Sequence, residues 1–525
     1  MKTSTPERTQ KQGFVPVVKR LQDLLGAPYV EAVCAARSFL TEEGLGCEAL
    51  APVDFYPSAL QERLTSLLGQ VGEKVCERPL TETPHGAGSR KFDEATHASA
   101  APVSASGYYR VGEDGRLYLT TKSEHYHAPL GHAFPGYRLL EQARALGIPN
   151  ATHNNTRGFI TRHLEEELVR IANGLAKSDS AGLKAVLSQQ DDLYVLNRVF
   201  NLETGSLVAE AALKLALARF YRMQPEMPEP KYKGRTPVLL VMGNDDGGLQ
   251  ANYHGTTVLT QMMRGMWPEC HAALEGAGFW KVVAIRPNNR ADLERAFATY
   301  ETGSYKIAAF FHEIVMMNYG GRLLTPEFLH YAHALCKQHD VATVVDEIQS
   351  CMWAPELFMF REYGLKPSCV VIGKGFPGGE YPASRILFSA ALDVMPQFGA
   401  LVTNGQEELA SLAYLVTMDW ALANAPVTAE LGVYFESRLR SLAAAHPRVI
   451  TTLDGWRHMT TLCFAELSGA QRFVKGLTQR GLDVSAQTYK KDCPPVVLFK
   501  LPLTADRAMI DFVVGLAGDL LKGMS

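Results

Sequence analysis

Excess charge of either sign is missing: 52 Lys and Arg stand against 55 Asp and Glu, a formal net charge of −3. That balance gives no basic footprint for nucleic acid or for an anionic membrane. No apolar run approaches the roughly 20 residues of a membrane-spanning helix. The opening Met1-Lys2-Thr3-Ser4-Thr5-Pro6-Glu7-Arg8 is polar and lacks the apolar stretch of a secretory signal. The nine cysteines are scattered and odd in number, and no Cys-x-x-Cys spacing occurs. They argue against a disulfide framework or a zinc site and for reduced thiols in a cytosol. The histidines of His125-Tyr126-His127 and Gly131-His132 follow no ligand spacing and read as structural or substrate-site residues, so no metal is expected. Internal repeats and low-complexity tracts are absent as well. What remains is a chain of 525 residues with 46% apolar content, expected to be a cytoplasmic, multi-domain globular protein.

The patterning divides the chain into four parts. Residues 1–106 form an N-terminal extension: a polar start to about residue 12 that reads as disordered, helical spacing over 13–80, then a linker over 84–107. Residues 107–159 open with a β-hairpin, Tyr108-Tyr109-Arg110-Val111 and Leu117-Tyr118-Leu119 around a turn at Glu113-Asp114-Gly115. Residues 160–405 alternate helical patterns with apolar runs at 238–242, 282–285, 307–311, 341–345, 369–372 and 386–388. Such alternation predicts a helix-flanked, mostly parallel sheet of the α/β class. Residues 406–525 begin with a long helix over 409–422 and continue as a smaller α+β lobe.

Two of those runs end in reactive groups. Val341-Ala342-Thr343-Val344-Val345 closes on Asp346-Glu347-Ile348-Gln349, and Cys369-Val370-Val371-Ile372 closes on Gly373-Lys374-Gly375. A carboxylate and an amine at neighbouring strand ends suit pyridoxal 5'-phosphate (PLP). The amine forms a Schiff base with the aldehyde, and the acid keeps the pyridine nitrogen protonated so that the ring draws electrons. Thr204-Gly205-Ser206 stands before the strong helix former Leu207-Val208-Ala209-Glu210-Ala211-Ala212, where free backbone N–H groups suit a phosphate. Capping of that helix by Thr204 or Ser206 is compatible with the same role. Tyr253-His254-Gly255 follows the 238–242 run; its tyrosine is able to stack on a ring, and its histidine reads as a supporting residue. Thr403-Asn404-Gly405-Gln406 precedes the 409–422 helix as a second candidate anion site.

In their order and chemistry these segments resemble the class III (ω-type) aminotransferases of the fold-type I PLP enzymes, over about residues 107–520. The resemblance implies a large PLP-binding domain with a smaller C-terminal lobe. Lys374 falls on the Schiff-base lysine and Asp346 on the partner of the ring nitrogen. Tyr253, with His254 and Gly255, matches the stacking aromatic motif, and Thr204, Gly205 and Ser206 match the phosphate-binding helix start. Gln349 falls on the residue beside the ring hydroxyl. Thr403 matches the threonine that reaches PLP phosphate in the neighbouring subunit of a homodimer. The implied partners are a small-molecule amino donor and a carbonyl acceptor.

Two departures stand out. Where the family carries Glu-Pro-x-Gln-Gly-Glu-Gly-Gly, this chain has Glu313-Ile314-Val315-Met316-Met317-Asn318-Tyr319-Gly320, so Asn318 replaces a glutamate. The arginine that pairs with that glutamate aligns with Ser485. Without a bidentate arginine, 2-oxoglutarate is not the expected acceptor, unless Arg157 or Arg385 takes over. An aminotransferase is the leading reading. An aminomutase, epimerase or decarboxylase on the same scaffold is the alternative, and a catalytically silent PLP-fold binding protein is a third.

Overall fold

The computed structural model describes all of the chain except residues 1–12, 43–49, 123–126, 401, 488–492, 494 and 525. The disorder expected for 1–12, and His125 and Tyr126, therefore lie outside the described residues.

A seven-stranded sheet forms the centre. Its strands in chain order are β1 (Arg198–Leu202), β2 (Thr236–Met242), β3 (Lys281–Ile285), β4 (Tyr305–His312), β5 (Ala342–Asp346), β6 (Cys369–Ile372) and β7 (Ser384–Phe388). They lie in the order β1-β7-β6-β5-β4-β2-β3. β7 runs antiparallel to both its neighbours, and every other pairing is parallel. The six expected runs all became strands. β1 was not anticipated, because it is a half-exposed edge strand whose Arg198 and Asn201 break the apolar run.

Uninterrupted apolar runs suit strands covered on both faces. Val345, Val370 and Ile372 pack into one core, while Val344, Cys369 and Val371 pack into a second core on the opposite face. This alternation is the period-2 geometry of a strand. The helix Gly205–Leu217 buries Val208, Ala211, Ala212 and Leu215 in the second core.

A smaller antiparallel sheet near the C-terminus runs in the order Ile450–Trp456, Met459–Phe464, Val496–Lys500, Ser485–Gln487. The hairpin Tyr109–Gly112 and Leu117–Thr120 is present and sits in a further sheet with Leu482–Asp483, so early and late parts of the chain share one ladder. An Arg110–Asp483 ion pair at 2.6 Å braces that union.

Two expectations need correction. The stretch 84–107 is not wholly a linker: it contains a helix, Arg90–Ala95, and a strand, Pro102–Ser106, which forms by pairing with Tyr109–Gly112. The helical region 13–80 holds Leu21–Leu25, Ala27–Thr41 and Ser58–Ser66, but a two-stranded ladder of Val18–Lys19 with Val53–Asp54 interrupts it. Among the described residues no helix is long and apolar enough to cross a membrane.

One buried carboxylate joins the long helix Glu408–Ala423 to the start of the helix Phe159–Ala172. Glu408 accepts from the Ile160 and Thr161 N–H groups at 2.8 and 3.0 Å and from the Thr161 hydroxyl at 2.7 Å. Those donors belong to the first turn, which has no partner within its own helix. Glu408→Ala strands them in the interior and should cost about 2–4 kcal/mol, read by urea denaturation, with Glu408→Gln losing less.

Candidate active site

Parallel pairing of β5 and β6 sets Asp346 opposite Val371, so Asp346 and Lys374 emerge at the same end of the sheet. A cavity of about 160 Å³ opens there, lined by Thr204, Gly205, Ser206, Tyr253, Gly255, Asp346, Ile348, Gln349 and Lys374. All nine lie in the segments picked out for chemistry, with Ile348 as an apolar wall. Position at the carboxyl ends of parallel strands is the usual ligand site of such sheets.

Lys374 adopts a left-handed backbone, φ +43°, that non-glycine residues rarely take. Its Nζ approaches Gln349 Oε1 at 3.4 Å. Burial holds its ammonium below the usual lysine range, while the charges of Glu313 and Asp346 oppose that shift. Asp346 is 5% exposed. Its Oδ1 accepts from the Ile348 N–H at 3.1 Å, and its Oδ2 accepts from His254 Nδ1 at 2.9 Å. His254 thus fixes the acid from behind without lining the cavity. Its buried Nε2 has no partner among the described residues.

Thr204 occupies the N-cap of the helix Gly205–Leu217 and makes no side-chain capping bond. The first-turn N–H groups therefore point toward the cavity end without competition from that hydroxyl. Ser206 Oγ accepts from the Thr256 N–H at 3.0 Å, tying the Tyr253 loop to the helix start. Gly255 makes this contact possible: with φ +100°, a Cβ would lie 2.7 Å from Ser206 Cα. The Tyr253 ring carries the Arg264 guanidinium at 4.9 Å from its centroid, a cation–π contact that helps hold the ring plane.

Thr403 is placed elsewhere. It is exposed and does not line this cavity, and the following helix starts at Glu408 with Glu407 as N-cap. Arg385 is also unavailable: fully buried, it donates to the Ser384 carbonyl at 3.0 Å and to Ser411 Oγ at 3.3 Å. Arg157 faces Glu165 at 3.3 Å. The lining residues include no arginine. The turn bearing Asn318 touches the strand bearing Ser485, since Gln487 donates to the Met317 carbonyl and accepts from the Gly320 N–H.

Sequence reasoning missed the buried residues behind the cavity. Glu313 lies where Gln349 Nε2 reaches its Oε1 at 3.5 Å. His312 and His333 meet Nε2 to Nε2 at 3.0 Å, and burial lowers both, His312 to about 4. Both are then neutral near pH 7, so one ring must donate and the other accept. The available signal was a pair of polar residues, His312-Glu313, closing the apolar run of β4.

The geometry fits PLP by the chemistry of its donors: an amine, an acid, an aromatic face and an uncapped helix start converge on one cavity. The class III aminotransferase family model matches residues 93–514. The L-lysine-epsilon aminotransferase of Amycolatopsis lactamdurans is 25% identical over 338 residues, 60% of this chain and 71% of that protein. The ornithine aminotransferase of Saccharomyces cerevisiae is 26% identical over 380 residues, 68% of this chain and 78% of that protein. The crystal structure of Toxoplasma gondii ornithine aminotransferase superposes with a TM-score of 0.63 at 18% identity, covering 83% of this chain and 94% of that one.

Glu347, beside Asp346, points away from the cavity and accepts from the Met359 and Phe360 N–H groups at 2.9 and 2.7 Å. Burial raises its carboxyl from 4.5 to about 7. Between those values the folded state binds more protons than the unfolded one, so stability falls as pH rises. Below 4.5 both states are protonated and the effect vanishes. Subtracting the Glu347→Gln stability curve from the wild-type curve should reveal a decline of roughly 3 kcal/mol from about pH 5 to about pH 8. A flat difference would remove this group from the acid response.

Proposed function

The chain belongs to the class III aminotransferase family, and on that premise we propose that it is a PLP-dependent aminotransferase acting on a small amine or amino acid. The convergence of Lys374, Asp346 and the Gly205 helix start on one cavity supports this reading most directly. Bound PLP supplies an aldehyde for amines and a ring that accepts electron density.

Lys374 Nζ would hold the cofactor covalently. Thr204, Gly205 and Ser206 would receive its phosphate through hydroxyls and first-turn N–H groups. Tyr253 would cover a ring face, and Gln349 would stand beside the ring hydroxyl. Asp346, clamped by His254, would keep a negative charge at the ring nitrogen. Lys374 Nζ, when not engaged in holding the cofactor, would be the base placed to move a proton at the substrate carbon. Its lowered ammonium range favours that use, because a neutral amine is what accepts a proton. Thr403, off this cavity, would serve the cavity of a second copy in a homodimer. A stoichiometric demand for an acceptor separates transfer from mutase, epimerase or decarboxylase chemistry.

Lys374→Ala should fold yet retain no PLP after borohydride reduction, whereas the wild-type chain carries it on the peptide containing residue 374. Mass spectrometry reads the difference, and cofactor fixed to another lysine would overturn the assignment.

With no arginine among the described residues that line the cavity, a dicarboxylate acceptor would lack its clamp. Absence of that contact should weaken 2-oxoglutarate by about 2–4 kcal/mol, roughly thirty- to several-hundred-fold. Steady-state turnover with 2-oxoglutarate, pyruvate and a simple aldehyde should therefore rank 2-oxoglutarate last. Efficient use of it at low concentration would contradict this.

A further inference from the structure

Lys500 closes the strand Val496–Lys500 of the C-terminal sheet and is fully buried. Its backbone N–H donates to the Thr121 carbonyl at 2.7 Å, which sets the strand end against the segment after the N-terminal hairpin. Its Nζ lies 3.7 Å from the Trp353 ring centroid and donates to the carbonyl of Gln349. Trp353 in turn donates from Nε1 to the Leu501 carbonyl at 2.9 Å. Lys500 and Trp353 therefore cross-link the C-terminal strand to the loop that follows β5, once in each direction.

A buried amine is an expensive way to fill space, since an apolar side chain of the same length would pack there without desolvation. Gln349 is what the amine reaches, and Gln349 is also a cavity residue. Its side chain meets Lys374 Nζ through Oε1 and Glu313 through Nε2. The amine bonds the backbone carbonyl of Gln349, so the tie takes up none of the side-chain amide that meets Lys374 and Glu313.

We propose that Lys500 is a positioning residue of this site: its amine holds the Gln349 backbone to the C-terminal lobe and so sets where the Gln349 side chain meets Lys374 and PLP. This rests on the reading of the cavity as a PLP site.

The ionisation is consistent with that geometry. Burial first, and then the charge of Lys374, push the Lys500 ammonium well below its ordinary range, while Cys351 and Glu313 oppose the shift. An amine donates an N–H to a carbonyl with or without its extra proton, so the tie to Gln349 holds in either state.

The test is a double-mutant cycle of PLP affinity and of the bound cofactor's absorption band, on the full chain. Lys500→Met should weaken PLP binding by about tenfold and shift the band, whereas in a Gln349→Ala background the same change should cost less than about twofold. A purely structural role would lower thermal stability and leave affinity and band unmoved. Should Lys500→Met fail to fold, Lys500→Gln, with a stem one atom shorter, carries the same expectation. A wild-type chain that binds PLP alongside a Lys500 variant of equal affinity and spectrum, or losses that multiply across the cycle, would overturn this inference alone. A wild-type chain that takes up no PLP would overturn the reading of the cavity and this inference with it.

Discussion

The parallel pairing of β5 with β6 is the constraint on which the candidate site depends. It places Asp346 opposite Val371, and one further turn of chain brings Lys374 round to the same sheet end. Had the two strands paired antiparallel, acid and amine would leave at opposite ends, about one strand length apart. The pairing is itself held by burial on both faces, where adjacent residues of each strand feed different cores. Slipping the register by one residue would exchange every side chain between those cores and turn Asp346 away from the cavity.

Period-2 alternation also explains how two adjacent carboxylates serve different ends. Asp346 faces the cavity and is held by His254, while Glu347 faces the interior and accepts the N–H groups of Met359 and Phe360. Asp346 contributes to raising the Glu347 carboxyl, so the pair resists carrying two full charges in one buried place. Behind it, Glu313 offsets the amine of Lys374, and the neutral pair of His312 and His333 fills the remaining polar space without adding charge.

Legibility in the sequence followed the range of the interactions involved. Strands β2 to β7 were readable because each is a short apolar run with its own end signals. The edge strand β1 was not, because its formation depends on pairing with β7 rather than on its own composition. The strand Pro102–Ser106 was hidden in the same way among Ala and Ser residues. At the site, Lys374, Asp346, Gln349, Tyr253 and the Thr204 segment were visible as residues ending or starting elements, and they line one cavity. Lys500 was invisible: a lysine at the end of an apolar strand ordinarily reaches solvent, and only the long-range approach of Trp353 and Gln349 encloses it.

The departures from the family's pattern gather where the C-terminal lobe meets the large sheet. Asn318 lies in a turn whose backbone is bonded to Gln487, two residues along the strand from Ser485. Lys500 lies on the next strand of that same sheet, paired with the strand of Ser485. The cavity itself is lined by residues at the ends of the large sheet's strands and by the helix and loop beside them. The seam draws on both lobes, and there charged partners for a carboxylate give way to amide and hydroxyl groups. The Lys500 tie to the Gln349 carbonyl stands at that same seam, which is where the proposed positioning of Gln349 would meet any selection of substrate. On the proposed reading, changes that retune specificity at this seam would also disturb the hold on the cofactor, because one contact serves both lobes.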